Sequence, residues 1–231
     1  RVDGYNPLAV ADAIRRFQQG GGLIVADEHL APAITPDILI KRPVRKDKPD
    51  EDKAAIQAGA AELRAQLDAL YQRPADSSNP DIIARVRRYK TADYLFAVND
   101  RRTFGDYVGQ WGLVMEKGLP AEATLILNRP AGHAYDLVAG RPIPADAAGG
   151  VLRIPCSLGP GGGQVIMVTD RAIAGVRIDV PRSARRSGRA DVRVTVADAE
   201  GRPLAAVVPV QVEIRDAEGN PAEWSGYYGA K

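Results

Sequence analysis

Three consecutive residues, Asp27-Glu28-His29, carry the first chemistry the chain offers. They follow the apolar run Leu23-Ile24-Val25-Ala26, at the carboxyl end of an expected strand, where open α/β sheets hold their ligands. Two carboxylates beside an imidazole have the makings of general acid–base catalysis. Against this, polar residues end most strands, and one strand end fixes no geometry. Asp93, Asp100, Asp106 and Asp136 form a second set. Two of them facing each other across a cleft would make a glycosidase pair, although Asp is also an ordinary turn residue. Tyr94, Tyr107 and Trp111, with Phe104, are candidates for a glycan-binding face, since flat rings suit the apolar faces of sugars; such residues equally fill sandwich cores.

The remaining chemical signals point away from catalysis. Gly159-Pro160-Gly161-Gly162-Gly163 is glycine-dense, but an apolar strand-like run, Gln164 to Val168, follows it. A phosphate cradle needs a helix there, so a hairpin loop is expected. His133 has no partner in sequence, and Cys156 in its apolar stretch reads as a small buried hydrophobe. One cysteine excludes an internal disulfide, and two histidines with one thiol give no zinc-site spacing. Neither a metal nor a cofactor is expected.

The elements that must position these residues belong to a chain of 231 residues, 45% hydrophobic, enough for one to three domains. Its 31 basic and 29 acidic side chains leave a net charge of +2, which argues against a nucleic-acid partner. Arg182, Arg185, Arg186 and Arg189 cluster around Ser183, Ser187 and Gly188 and read as a solvated loop. No apolar run approaches the ~18 residues of a membrane span, and no signal peptide is present.

Asn6-Pro7 is a helix start, Val10, Ala13, Ile14 and Phe17 recur at helical spacing, and Gly20-Gly21-Gly22 ends the helix. Leu23–Ala26 then reads as a parallel strand buried on both faces. Residues 40–51 read as a loop. Ile56, Ala60, Leu63, Leu67 and Leu70 predict an amphipathic helix whose apolar stripe must pack on something. Beyond Pro80 the period falls to 2. Strands are expected at 82–89, 94–98, 107–113, 123–127, 134–138, 151–154 and 164–169, and in a second unit at 176–180, 190–197 and 206–214. In that unit Asp198-Ala199-Glu200-Gly201 recurs as Asp216-Ala217-Glu218-Gly219, an offset of 18 residues. Asp bonding its own backbone and Gly at positive φ predict the same tight turn twice.

The expected fold is therefore mainly β, an antiparallel β-sandwich plus an immunoglobulin-like β unit, preceded by a small α/β piece. The expected domains are 1–79, 80–173 and 174–231, the last incomplete, in a chain that reads as cut at both ends.

The series Tyr94-Leu95-Phe96-Ala97-Val98-Asn99, Tyr135-Asp136-Leu137-Val138-Ala139-Gly140, Leu158-Gly159-Pro160 and Val165-Ile166-Met167-Val168 resembles the C-terminal β-domains of multidomain bacterial glycoside hydrolases. Phe17 to Val25 looks like the end of the amidotransferase-like domain that precedes such a domain in β-galactosidase-type enzymes, and the part from Val176 looks like an immunoglobulin-like or macroglobulin-type module. In these families the catalytic carboxylates lie on an upstream barrel, so the resemblance carries no catalytic residue over. It implies a non-catalytic accessory region of a larger carbohydrate-active protein, extracellular or periplasmic. Packing against an upstream catalytic domain, subunit contact in a homo-oligomer and weak polysaccharide binding would be its roles. The rivals are a hydrolase using Asp27, Glu28 and His29, and a cell-surface adhesion or structural module.

Overall fold

A computed structural model describes residues 8–29, 34–105, 107–109, 112–113, 117–185 and 188–230. Asn6, Pro7, Asp106 and Trp111, singled out above, lie outside the described residues. Among the described residues strands make up 42% and helices 14%, so the protein is mainly β with several antiparallel sheets, as expected of a β-sandwich. It divides into two compact units, 1–72 and 73–231.

In the first unit, helix α1 (Leu8–Gln19) ends where Gly21 takes φ 88°, and Gly22 N–H bonds the Phe17 carbonyl at 2.9 Å. Strand β1 (Val25–Asp27) pairs in parallel with β2 (Ile38–Ile40), Ala26 opposite Leu39. The parallel pairing was expected, but burial on both faces was not met: Ala26 is buried while Val25 is 37% exposed. Strand β2 also extends into the stretch read as a loop. Helix α2 (Pro49–Asp68) starts at a proline, whose fixed φ suits a first turn. Its apolar stripe is only partly covered: Leu63 and Leu67 are half-buried, whereas Ile56 is 58% exposed.

The second unit runs β3 (Ala75–Ser77), β4 (Ile82–Tyr89), β5 (Ala92–Asn99), β6 (Arg102–Thr103), β7 (Val108–Gly109), β8 (Gly112–Leu113), β9 (Lys117–Gly118), β10 (Ala121–Leu127), β11 (His133–Asp136), β12 (Arg141–Ile143), β13 (Asp146–Ala148), β14 (Val151–Leu158), β15 (Gly163–Thr169), β16 (Gly175–Asp179), β17 (Arg193–Ala197), β18 (Val208–Val212) and β19 (Gly226–Ala230). The single strand expected over 107–113 is instead the short antiparallel pair β7–β8, with Gly112 at φ 104°.

Two sheets form the sandwich, one ordered β13-β14-β10-β3 and the other β12-β11-β15-β5-β4. Leu125, Leu127, Leu152, Ile154 and Leu158 face Ile82, Leu95, Ala97, Ile166 and Val168 in one core. Alternation then sends Ala92, Tyr94 and Met167 to the other face of the five-stranded sheet. Part of that face is covered, while Phe96 and Val98 on it stay exposed. Val196, Leu204, Ala206 and Val208 of the C-terminal hairpins pack on Ala92 and Met167, with Tyr94, Tyr135 and Ile173 around them. The five-stranded sheet is thus the middle layer of three, apolar on both sides.

Both copies of the repeated turn have one geometry. Asp198 Oδ1 accepts the N–H groups of Glu200 (3.1 Å) and Arg202 (2.8 Å), and Asp216 Oδ1 accepts those of Glu218 (3.1 Å) and Asn220 (2.8 Å). Gly201 sits at φ 76° and Gly219 at 85°. Residue type alone dictates this, because each Asp closes its own loop and each Gly enters the left-handed region freely.

Candidate functional site

Asp27 ends β1, as its sequence position suggested. Its Oδ2 accepts Arg42 Nε at 3.0 Å and Arg42 Nη2, and its Oδ1 accepts the His29 N–H at 3.1 Å. Glu28 Oε2 takes the Arg42 N–H at 3.4 Å. Glu28 and His29 are exposed. The strand end therefore gathers Asp27 and Glu28 around Arg42, in an ion pair and a backbone contact. Beside it, the Ile24 N–H, at 2.8 Å from Oδ2, holds the Asp37 carboxyl below its ordinary range.

Of the second aspartate set, the three described members, Asp93, Asp100 and Asp136, each have their own partners. Asp93, 1% exposed, accepts Arg88 Nε at 2.7 Å and Arg129 Nη1 at 2.9 Å. Asp100 lies at the surface, paired with Arg102 at 3.1 Å. Asp136 is buried in the β11 end and holds the following turn: its Oδ1 accepts Val138 N–H and Ala139 N–H, both at 2.9 Å.

Asp136 also opens onto the best-furnished polar cleft, about 730 Å³, between strands of the two sandwich sheets. There Gln164 Nε2 donates to Asp136 Oδ2 at 2.7 Å, and Cys156 Sγ donates to Gln164 Oε1 at 3.5 Å. Arg141, Glu122, Ser157, Ser78 and Thr124 complete the polar lining. Burial pushes the Asp136 carboxyl up, but the Ala139 N–H, the Gln164 amide, the Val138 N–H and the Arg141 charge together hold it below the usual carboxylate range. Burial pushes the Cys156 thiol up, so the thiolate needed for nucleophilic attack is suppressed. An ionised, fully engaged carboxylate and a protonated thiol suit holding a shape or a polar ligand better than breaking a bond. Sequence reasoning did not connect these three residues. The signal lay in the polar Gln164 within the apolar run of β15, visible only once β11 pairs beside β15 and β14 is placed in the facing sheet.

The aromatic set divides. Tyr94 lies under the C-terminal hairpins, its hydroxyl donating to Val207 O at 2.8 Å and accepting Val207 N–H at 2.5 Å. Tyr107 is 62% exposed, and Phe104 is half-buried. His133 is exposed at the start of β11. The glycine run forms the loop between β14 and β15; Asn99, buried, braces it through Nδ2 to Gly159 O at 2.8 Å and to Leu119 O at 2.7 Å.

Arg171, just after β15, joins the sandwich to the first repeated turn. Its guanidinium pairs with Asp198 and donates to Pro203 O at 2.8 Å, while Arg202 Nε holds the same carboxylate at 2.9 Å. Tyr135 adds a third tie, its hydroxyl accepting the Ile173 N–H at 2.7 Å.

Among the described residues no three His, Cys, Asp or Glu side chains converge as a metal site, and no helix is long and apolar enough to cross a membrane. No family profile matches the chain, and no curated protein does. Among solved structures it is similar to α-L-fucosidase isoenzyme 2 from Paenibacillus thiaminolyticus, at 12% identity and a TM-score of 0.37, over 51% of this chain and 19% of that one. The chain thus matches under a fifth of that enzyme's length, and a likeness of this degree assigns neither site nor reaction.

Proposed function

We propose that this chain is a non-catalytic structural region of a larger carbohydrate-active protein. Its role is to fix a C-terminal β module rigidly on a sandwich that packs beside an upstream catalytic domain, in an extracellular or periplasmic setting. The observation that carries this is how its buried charges are spent. Asp93 is held by two arginines, Asp136 by two backbone N–H groups and an amide, and Asp198 by Arg171 and Arg202. Each secures a turn or a joint between layers. Carboxylates already held by three or more donors are poorly placed to trade protons with a substrate. The carbohydrate context comes from the resemblance of the 94–168 strand series.

The test is turnover by the purified chain on a panel of aryl-glycosides. No hydrolysis above the buffer rate is expected. Hydrolysis that Asp27→Ala or Asp136→Ala abolishes would overturn the reading in favour of a hydrolase.

A further inference from the structure

The C-terminal module is filled at one end and open at the other. Next to the five-stranded sheet its interior is closed by Val196, Leu204, Ala206 and Val208. Further along, Val192, Val194, Val212, Ile214, Trp224 and Tyr228 line a groove of about 650 Å³. Trp224 is 72% exposed at its mouth. It is held at φ 73°, a region bulky residues avoid, with its carbonyl accepting the Tyr228 hydroxyl at 2.6 Å. Strain kept at an exposed tryptophan marks a surface built for contact.

The two walls differ in charge. Leading into the β17 wall, the described residues 182–185 and 188–193 carry four arginines and one aspartate, Asp191, paired with Arg189 at 3.0 Å. The hairpin 213–223, which joins β18 to β19, has four carboxylates and one arginine. We infer that this groove is the contact between two copies of the chain, closed face to face about a two-fold axis. Each arginine-rich rim then lies over the other copy's acidic hairpin. A two-fold interface uses one patch twice, so only a self-complementary patch serves. An apolar strip flanked by opposite charges meets that condition. An acidic peptide would answer the arginines and leave the acidic hairpin unmatched, and a basic one the reverse. The inference rests on reading this region as one of subunit contact, and it names the partner. A failed dimer leaves the glycoside result untouched, so the two can fall separately.

The experiment is sedimentation equilibrium on the full chain. A dimer is expected at micromolar concentration, with Trp224→Glu weakening it about tenfold or more. Arg185→Glu/Arg189→Glu and Glu218→Lys/Glu223→Lys, all at exposed positions, should each weaken self-association about tenfold. Mixed in equal amounts, the two charge variants should recover a heterodimer, because both rims then meet opposite charge. Circular dichroism and thermal unfolding confirm that each variant is folded. Three results would overturn the inference: a monomeric wild type at ~100 µM, a dimer indifferent to these changes, or charge variants that do not recover on mixing. A monomer that takes up a strongly acidic extended peptide would overturn it too, in favour of a peptide partner.

Discussion

The hydroxyl of Tyr94 closes both hydrogen-bonding groups of a single residue, Val207, which lies 113 positions further along the chain. Tyr94 stands on β5 in the middle layer, and Val207 precedes β18 in the outer one. Burial pushes the Tyr94 phenol up, so it stays a neutral donor and acceptor at any working pH.

Tyr94→Phe keeps the ring and removes both bonds, leaving the Val207 N–H and C=O to find other partners. A loss of about 1 kcal/mol is expected by denaturant unfolding, since the group is only half-buried. Hydrogen exchange at Val207 should rise while exchange at Leu125, in the sandwich core, stays unchanged. Equal acceleration at both sites would show that the tyrosine braces the whole unit instead of its outer layer.

Burial pushes the Asp198 carboxyl up, but the N–H and guanidinium of Arg202 and the guanidinium of Arg171 outweigh it and hold the group at about 2, against an ordinary 3.8. A carboxylate depressed in the folded state stabilises it fully above the unfolded value, and that contribution is lost as pH falls through the folded one. The outer layer should therefore loosen between about pH 4 and pH 2. Asp198→Asn, which keeps a side-chain acceptor for the turn, should lower stability at pH 6 and flatten the fall in Tm across that window. Asp216→Asn closes the same turn at the surface and is the comparison. If wild type and Asp198→Asn lose stability in parallel on acidification, the Arg171 joint is not electrostatic.

Cys156 is buried with its thiol turned to Gln164. A chromogenic disulfide reagent at pH 8 should label it at least ~100-fold more slowly than in the unfolded chain, at a rate set by opening of the sandwich. Labelling that is fast and unaffected by stabilising osmolytes would make the cleft an accessible thiol site and would reopen its chemistry.

Much of this architecture is legible residue by residue where the cause is local. The alternation of Ile82 to Tyr89 fixes β4 to its last residue, and the Asp–Gly pairs at 198–201 and 216–219 specify two turns with the same backbone N–H bonds. What depends on distant partners is not. Ala75–Ser77, between Pro74 and Ser78, has the composition of a linker and becomes a strand only because β10 pairs with it, Ser77 opposite Leu125. Residues 107–113 carry strand-forming side chains, but the described ones pair as two short antiparallel strands, with Gly112 at φ 104°. The third layer left a trace that period-2 reading passes over. Tyr94 to Val98 is apolar at odd and even positions alike, although of the outer-facing side chains only Tyr94 is covered and Phe96 and Val98 stay exposed. The Asp136–Gln164–Cys156 chain left only one trace, a polar Gln164 in an otherwise apolar β15, since its members come from three strands whose order in space is not their order in sequence.

Only five residues, 170–174, separate the end of β15 from the start of β16, and Arg171 and Ile173 among them are bolted down by Asp198 and Tyr135. A tether of that length with two of its members anchored has no slack. Tension applied beyond Ala230 would not be absorbed by uncoiling; it would travel as torque into the middle sheet. The attachment is built as a bracket rather than a string, fastened at two of its five residues.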